Sequence, residues 1–578
     1  MAWKAPLLDM QFVLQHWLQA DKAWQAMPPH ADLDLDLDLA WQVLEQAARF
    51  TEQVLVPLNA TGDRQGCRME AGQVRTPHGF PAAYQAYVEA GWPALACTPQ
   101  FGGQGLPLVL DAALQEMLFA SNHAWAMYTG IAHGAYQCLQ AHASEQLQAR
   151  YLPGIVSGEI LPTMCLTEPQ AGSDLGLLRC RAEPLGDGRY AITGNKLFIS
   201  GGDHDLTRQI VHLVLARLPG APAGSRGLSL LLVPKWLEDG QRNAVQCEGL
   251  EHKLGIRGSA TCALRFEAAS GWLVGQAHGG LAAMFVMMNS ARLHVGLQGL
   301  AHAEAAWQCA REYAMARRQM NAPGQPKGQA DPIHLHPAMR RVLLELRVRS
   351  EGMRALGYWA AHWLDVAAAA TEPGQRAKAS TLAALLTPVI KAAFTEQGFT
   401  LASKALQVFG GYGYTCEFSI EQTLRDSRIA MIYEGTNELQ ANDLLLRKVL
   451  GDGGAGMALL LGELRKEAGT GMAAAVLQKV CAVLQGLLAE VMAKTAADPE
   501  YPYRAAGDFL QLCATALQAF AWARTERCLQ ALPVDAPLRL QKQESIGFFC
   551  NYLMLDFDRQ VAAVAAAAAP LPSITAPF

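Results

Sequence analysis

The chain has 578 residues, of which 51% are hydrophobic and 17% charged. That composition excludes a disordered or collagen-like chain, and the length allows roughly three to five domains at about 100–200 residues each. A formal net charge of −5 leaves no strong basic field for nucleic acid or anionic lipid.

The opening MAWKAPLLDMQFVLQHW lacks a signal-peptide shape, because Asp9, Gln11, Gln15 and His16 interrupt its apolar residues. No uninterrupted apolar run reaches about 18 residues, so no membrane span is expected. The 13 cysteines are odd in number, irregularly spaced and without a C-x-x-C. They read as mostly buried thiols in a reducing compartment, and a cytoplasmic protein is expected.

Residues 1–160 read as a helical domain. LAWQVLEQAARFTEQVL has apolar residues at three-to-four spacing, and helical patterns resume after the Pro/Gly-rich break PQFGGQGLP. Residues 161–278 read as a β-sandwich or barrel-like domain. LPTMCLTE, RYAITGNKLFIS, QIVHLVLARL, GLSLLLVPK and TCALRFE are short apolar segments separated by Gly, Pro and Asp clusters. Residues 279–450 return to the helical period as a bundle of long helices. GDGGAG at 451–456 looks like a linker, and 457–578 is an extra Ala/Leu-rich helical domain for packing or assembly. The fold class is therefore multidomain α+β.

GDGGAG matches G-x-G-x-x-G, but a Leu-rich helix precedes it where the dinucleotide fingerprint needs a strand. His334 and His336 have only Asp331 as a nearby carboxylate, so they read as solvated loop histidines and no metal is expected. Three motifs remain. MCLTEPQAGSDLG, 164–176, offers Thr167, Ser173 and a Gly-bearing turn to a ring cofactor or phosphate. On composition alone, an ordinary polar loop is the favoured reading. GNKLFISGG, 194–202, puts Phe198 and Ser200 on one side of a strand, which suits either a flat ring or a core strand. LQVFGGYGYTCEFSIEQTLRDSRIAMIYEGTNELQ, 406–440, sets Glu434 between an apolar run and Gly435. Burial there would raise its pKa and make it a better base, although an isolated Glu at a helix end is usually solvated.

Together, in this order and separation, these motifs resemble the acyl-CoA dehydrogenase family over about residues 1–450. WKAPLLDMQFVL, PLNATGDRQGC, EHKLGIRGSATC, DPIHLHPAMRR and the C-terminal extension resemble a long subfamily that includes the 3-methylmercaptopropionyl-CoA dehydrogenases. The resemblance implies FAD-dependent α,β-dehydrogenation of an acyl-CoA to a trans-2-enoyl-CoA, on 3-methylmercaptopropionyl-CoA or a related thioester. Glu434 would abstract the α-proton while hydride passes to flavin N5. The thioester oxygen would be held by the Glu434 N–H and the FAD ribityl 2′-hydroxyl. The family's other base position precedes Arg292, and Ala291 stands there.

For FAD, the resemblance implies Met164, Cys165, Leu166 and Thr167 along the flavin strand, Ser173 near the pyrophosphate, and Phe198 and Ser200 beside the ring. It adds Thr436 and Glu438, and Arg317, Gln407, Gly410 and Gly411 toward a neighbouring subunit's FAD. Ser173, Asn289, Arg292, Tyr433 and Gly435 would meet the substrate. Asn289 stands where Asp is usual, and Arg318–Asn321 departs from the family's R-x-x-F-G. Arg257 reads equally as a CoA-phosphate contact or a loop salt bridge. An electron-transferring flavoprotein as acceptor and a homodimer or dimer of dimers are implied. The competing readings are an acyl-CoA oxidase using oxygen and a non-catalytic FAD-binding scaffold.

Overall fold

The computed structural model describes residues 3–573. Residues 1–2 and 574–578, the ends of the first and last expected domains, lie outside the described residues. The described residues divide into two compact units, one built from 3–5 and 42–294, the other from 6–41 and 295–573. The expected succession of helices, a β domain, long helices and further C-terminal helices is present.

The 42–294 unit begins with helices and a small antiparallel hairpin, β1 (Arg68–Glu70) with β2 (Gln73–Arg75). The hairpin has no apolar signature because its first strand is wholly exposed. Seven more strands follow: β3 (Ile160–Cys165), β4 (Arg181–Pro184), β5 (Arg189–Ser200), β6 (Gln209–Arg217), β7 (Leu228–Pro234), β8 (Val245–Leu250) and β9 (Thr261–Val274). Their order is β3-β6-β4-β5-β9-β7 with β8 paired to β9, and β7 pairs back to β6, so the sheet curls into a barrel. β6 and β7 are almost wholly buried, which explains their continuous apolar runs rather than an alternation. Besides the hairpin, the sequence reading misses β4 and β8. RAEP has one buried residue and a proline, and β8 buries only Val245.

In the other unit, Gly280–Ala316 enters at Val295 and crosses the segment 390–409 at glycines. A Cβ on Gly299 would lie 2.2 Å from the Phe394 carbonyl oxygen, and one on Gly398 would lie 2.5 Å from that of Gly299. Only glycine lets the two backbones approach this closely. Pro373–Val389 runs through a π-helical turn, Ile390–Phe394, into Thr395–Phe409. GDGGAG is a hydrogen-bonded turn rather than a slack linker. Asp452 accepts from the Gly454 and Gly456 N–H groups at 2.9 and 2.8 Å and so starts the helix Ala455–Leu464.

The C-terminal helices centre on Tyr501–Cys528, which is buried on several faces and packs against Met472–Ala497, Leu555–Ala566 and Asn437–Asn442. Its Glu526 carboxylate caps Met472–Ala497 by accepting from the N–H groups of Met472, Ala473 and Ala474. Among the described residues, the helical stretch 373–414 and Met472–Ala497 are long and apolar enough to cross a membrane by length and composition. The first is mostly buried inside the fold.

A charged cluster ties the ends of this unit together. Asp9 accepts from Arg354 and Lys542, Arg354 also bonds Glu304 at 2.9 Å, and Lys542 pairs with Glu351 at 3.1 Å. Burial alone would raise the Asp9 carboxyl, but the Lys542 and Arg354 charges hold it below its ordinary value. Removing one member of such a buried set costs about 3–5 kcal/mol, because it leaves an uncompensated charge.

Candidate active site

The candidate residues divide between the two units. In the β domain, the 164–176 motif leaves β3 and turns. Met164, Leu166 and Thr167 are half-buried, while Cys165 is fully buried, so its side chain belongs to the core. Ser173 is exposed, and the space beside Gly172 is open. The 194–202 motif lies on β5. Phe198 is 60% exposed, with φ +59°, at a shift of register between Lys196 and Ile199 against β9. A bulge of this kind re-aims a side chain, and here it exposes a large ring that an ordinary core strand would bury. Ser200 is half-buried two residues on, and Ile199 between them is buried. An exposed ring, the Thr167 and Ser200 hydroxyls and open backbone near Ser173 form a donor set that fits a flat polar cofactor with a phosphate tail.

What fastens the two motifs is Lys196, which has no exposed surface. Its Nζ donates to the carbonyl oxygens of Leu166 and Leu215 at 3.0 and 2.8 Å and to Glu168 Oε1 at 2.9 Å. Glu168 also accepts from the N–H groups of Arg179 and Cys180 at 2.7 and 3.0 Å. Burial works to raise the Glu168 carboxyl, but the Lys196 charge and these bonds hold it below the usual carboxylate range. The Leu197 N–H donates to the Thr167 carbonyl at 2.9 Å, joining the strands directly.

In the helical unit, Glu434 has φ +57° and Gly435 φ +86°. Two successive left-handed residues turn the chain sharply, and the non-glycine one costs on the order of 1–3 kcal/mol. Gly435 is required as well, since a Cβ there would lie 2.8 Å from Gln440 Nε2. Glu434 is half-buried, and its Oε2 is buried. Its carbonyl accepts from Gln440 Nε2 at 3.0 Å. Tyr433 donates its hydroxyl proton to Gln298 Oε1, and burial, with the neighbouring Glu434 charge, pushes that hydroxyl's pKa well up. Lys391 Nζ donates to the Gly435 carbonyl at 2.7 Å and to Asn437 Oδ1 at 3.1 Å. Thr436 caps the helix Asn437–Asn442 by accepting from the Leu439 N–H. Glu438 is exposed in its first turn, and a hydrogen bond from Thr436 draws its carboxyl down.

Arg317 is exposed and lies 5.8 Å over the Tyr412 ring, so it sits beside the GGYGY segment. Gln407, Gly410 and Gly411 are exposed there too, and Gly410 ends its helix with φ +60°. On Gly280–Ala316, Arg292 Nη1 donates to Asn289 Oδ1 at 3.5 Å, three residues apart on one helical face. Arg257 is exposed. The residues that motif reading passed over are Glu168, Lys196, Gln298, Lys391, Asn437 and Gln440. Glu168, Lys196, Asn437 and Gln440 stand inside quoted motifs, and for Lys196 a charged residue in a barrel strand was the available signal.

Three family models match in order: the acyl-CoA dehydrogenase N-terminal domain over 41–159, the middle domain over 163–269 and the C-terminal domain over 278–448. The 3-methylmercaptopropionyl-CoA dehydrogenase of Ruegeria pomeroyi is 41% identical, covering 93% of this chain and 92% of its own. The broad-specificity linear acyl-CoA dehydrogenase FadE5 of Mycobacterium tuberculosis is 35% identical, covering 88% and 85%. Among solved structures, an acyl-CoA dehydrogenase complexed with FAD from Bacillus anthracis superposes with a TM-score of 0.77 at 20% identity, over 93% of this chain and 89% of that one. Caenorhabditis elegans ACDH-11, in complex with C11-CoA, gives 0.73 at 19% identity, over 94% and 93%. Matched along its length in sequence and in fold, the chain belongs to the acyl-CoA dehydrogenase family of FAD-dependent oxidoreductases.

Proposed function

We propose that the chain dehydrogenates an acyl-CoA between Cα and Cβ, with Glu434 as the base, and that its substrate is 3-methylmercaptopropionyl-CoA or a closely related thioester. The strained, half-buried Glu434 carries the reading, because the fold spends conformational energy on placing one carboxylate. Glu434 removes the α-proton, and its backbone N–H donates to the thioester oxygen, where negative charge develops. Tyr433, tied to Gln298, borders the acyl chain. Gly435 keeps the space beside the reacting carbon clear. Phe198, Thr167 and Ser200 hold the isoalloxazine ring, and Ser173 meets the pyrophosphate. FAD, when bound, supplies the acceptor for the β-hydrogen and its electron pair, and a trans-2-enoyl-CoA leaves. The similarity to the R. pomeroyi enzyme supports the substrate. Exposure of Arg317, Tyr412, Gly410 and Gly411 supports a homodimer in which this edge reaches a second copy's FAD. An electron-transferring flavoprotein is the proposed acceptor.

The test is the visible spectrum under anaerobic addition of short, long and 3-methylmercaptopropionyl thioesters. Wild type bleaches fastest with the methylmercapto substrate. Glu434→Gln keeps the flavin spectrum and loses about two to four powers of ten in the bleaching rate. An unimpaired Glu434→Gln would reject this base.

A further inference from the structure

We infer that Lys391 is a positioning residue for the reaction: it fastens the left-handed Glu434–Gly435 turn to a rigid helix crossing and so sets where the carboxylate stands. The inference rests on Glu434 being the base.

Lys391 lies in the apolar stretch TPVIKAAFTEQGF and has no exposed surface. Burying an ammonium costs several kcal/mol unless its protons find acceptors. Two of those acceptors belong to the loop that carries the base: the Gly435 carbonyl at 2.7 Å and Asn437 Oδ1 at 3.1 Å. Asn437 is bound a second time to the same platform, since its Nδ2 donates to the Ala392 carbonyl at 3.1 Å and Thr395 Oγ1 donates to its Oδ1 at 3.3 Å. Gln440 closes the other side of the turn through the Glu434 carbonyl.

The platform itself cannot yield easily. Lys391 stands in the π-helical turn Ile390–Phe394, where the ladder is widened by one residue. A Cβ on Gly296 would lie 2.4 Å from Ile390 Cγ2, and one on Gly299 would lie 2.2 Å from the Phe394 carbonyl oxygen. The long helix therefore rests directly on both ends of the turn that carries the lysine. A charge-assisted bond of 2.7 Å from this base holds the Gly435 carbonyl in the orientation that the two positive φ values demand. Without it, the peptide after Gly435 loses its anchor, and the turn is free to relax on that side, taking the adjacent Glu434 carboxylate with it. A displacement of about 1 Å in a reacting group costs on the order of a hundredfold in rate.

The experiment compares holoenzyme of wild type, Lys391→Met and Glu434→Gln, with the fastest thioester of the panel in protiated and α-dideuterated forms. Lys391→Met is expected to keep the flavin spectrum and to hold KM within about threefold while kcat falls about a hundredfold, because a misplaced base weakens the transition state alone. The α-deuterium isotope effect on kcat is expected to grow, since proton removal now limits turnover; a merely structural lysine would not move it. A Lys391→Met kcat within about threefold of wild type, or a loss fully restored by added FAD with an unchanged isotope effect, overturns the proposal. If Lys391→Met does not fold, Asn437→Ala carries the test: an approximately tenfold lower kcat with a larger isotope effect supports the proposal, and a kcat within about twofold overturns it. Glu434→Gln separates the two claims. If it turns over normally, the base is wrong; if it is inactive while Lys391→Met is unimpaired, only the positioning role falls.

Discussion

Two buried lysines fasten the two candidate-site motifs, and they are satisfied differently. Lys196 stands two residues before the left-handed Phe198 on the same strand and bonds a carboxylate, Glu168, as well as two carbonyls. Lys391 lies under the left-handed Glu434 and bonds a carbonyl and an amide oxygen. In the β domain the cation is half of an ion pair, so its loss strands a buried charge. At the Glu434 loop its loss first unfastens a turn. Loss of the first is therefore expected to act mainly on stability, and loss of the second mainly on rate.

That contrast can be broken most directly at Lys196. Lys196→Met leaves Glu168 buried beside two N–H groups and should cost about 3–5 kcal/mol in urea unfolding, with weak flavin retention. Adding Glu168→Gln should return part of it. If Lys391→Met lowers the urea midpoint as much as Lys196→Met does, the distinction between the lysines fails.

Acid sharpens the comparison. Burial and the Lys235 charge hold His204 and His212, in the unit with Lys196, down at about 3. In the other unit, burial holds His302 and His362 at about 4. Unfolded histidines titrate near ~6.5, so below that pH the unfolded chain takes up protons that the folded one refuses. This stability is complete above ~6.5 and is lost as pH falls toward the folded values. Glu168, whose folded pKa is lowered, adds a contribution present above the ordinary carboxylate value and lost as pH falls through its own. His294 runs the other way: although burial opposes it, Asp111 raises its pKa, so its share is lost as pH rises. Urea midpoints should therefore fall from pH 7 to pH 4, with probes in 42–294 reporting the larger loss. A flat midpoint would mean that these histidines are not buried neutral.

The smallest expected effect is at Phe198. Phe198→Ala removes an exposed ring and should leave the urea midpoint nearly unchanged while weakening FAD binding by about 0.5–1.5 kcal/mol, measured by flavin titration. A large stability loss would make Phe198 a core residue after all.

The domain succession and the Glu434 loop were legible because they rest on period and on motif residues adjacent in sequence. Phe198 and Ser200 could be put on one side by parity, but Lys196, of the same parity, is fully buried because the bulge intervenes. Strand alternation does not survive an inserted residue. Lys391 was illegible for another reason. A single lysine in an apolar helical run usually reaches out to water, and only the distant loop 435–437 shows what its ammonium binds. The short strands β4 and β8 escaped because few of their residues are buried, so they carry no apolar pattern.

The Asp9 cluster has a consequence in time. Its carboxylate meets Lys542 across 533 residues of sequence. A ribosome adding about 5–20 residues per second makes the lysine roughly 30–100 s after the aspartate. Throughout that interval the first helix exists without one of the two cations that make its burial tolerable. The beginning of this chain must therefore wait, solvated or chaperoned, for its end to be synthesised.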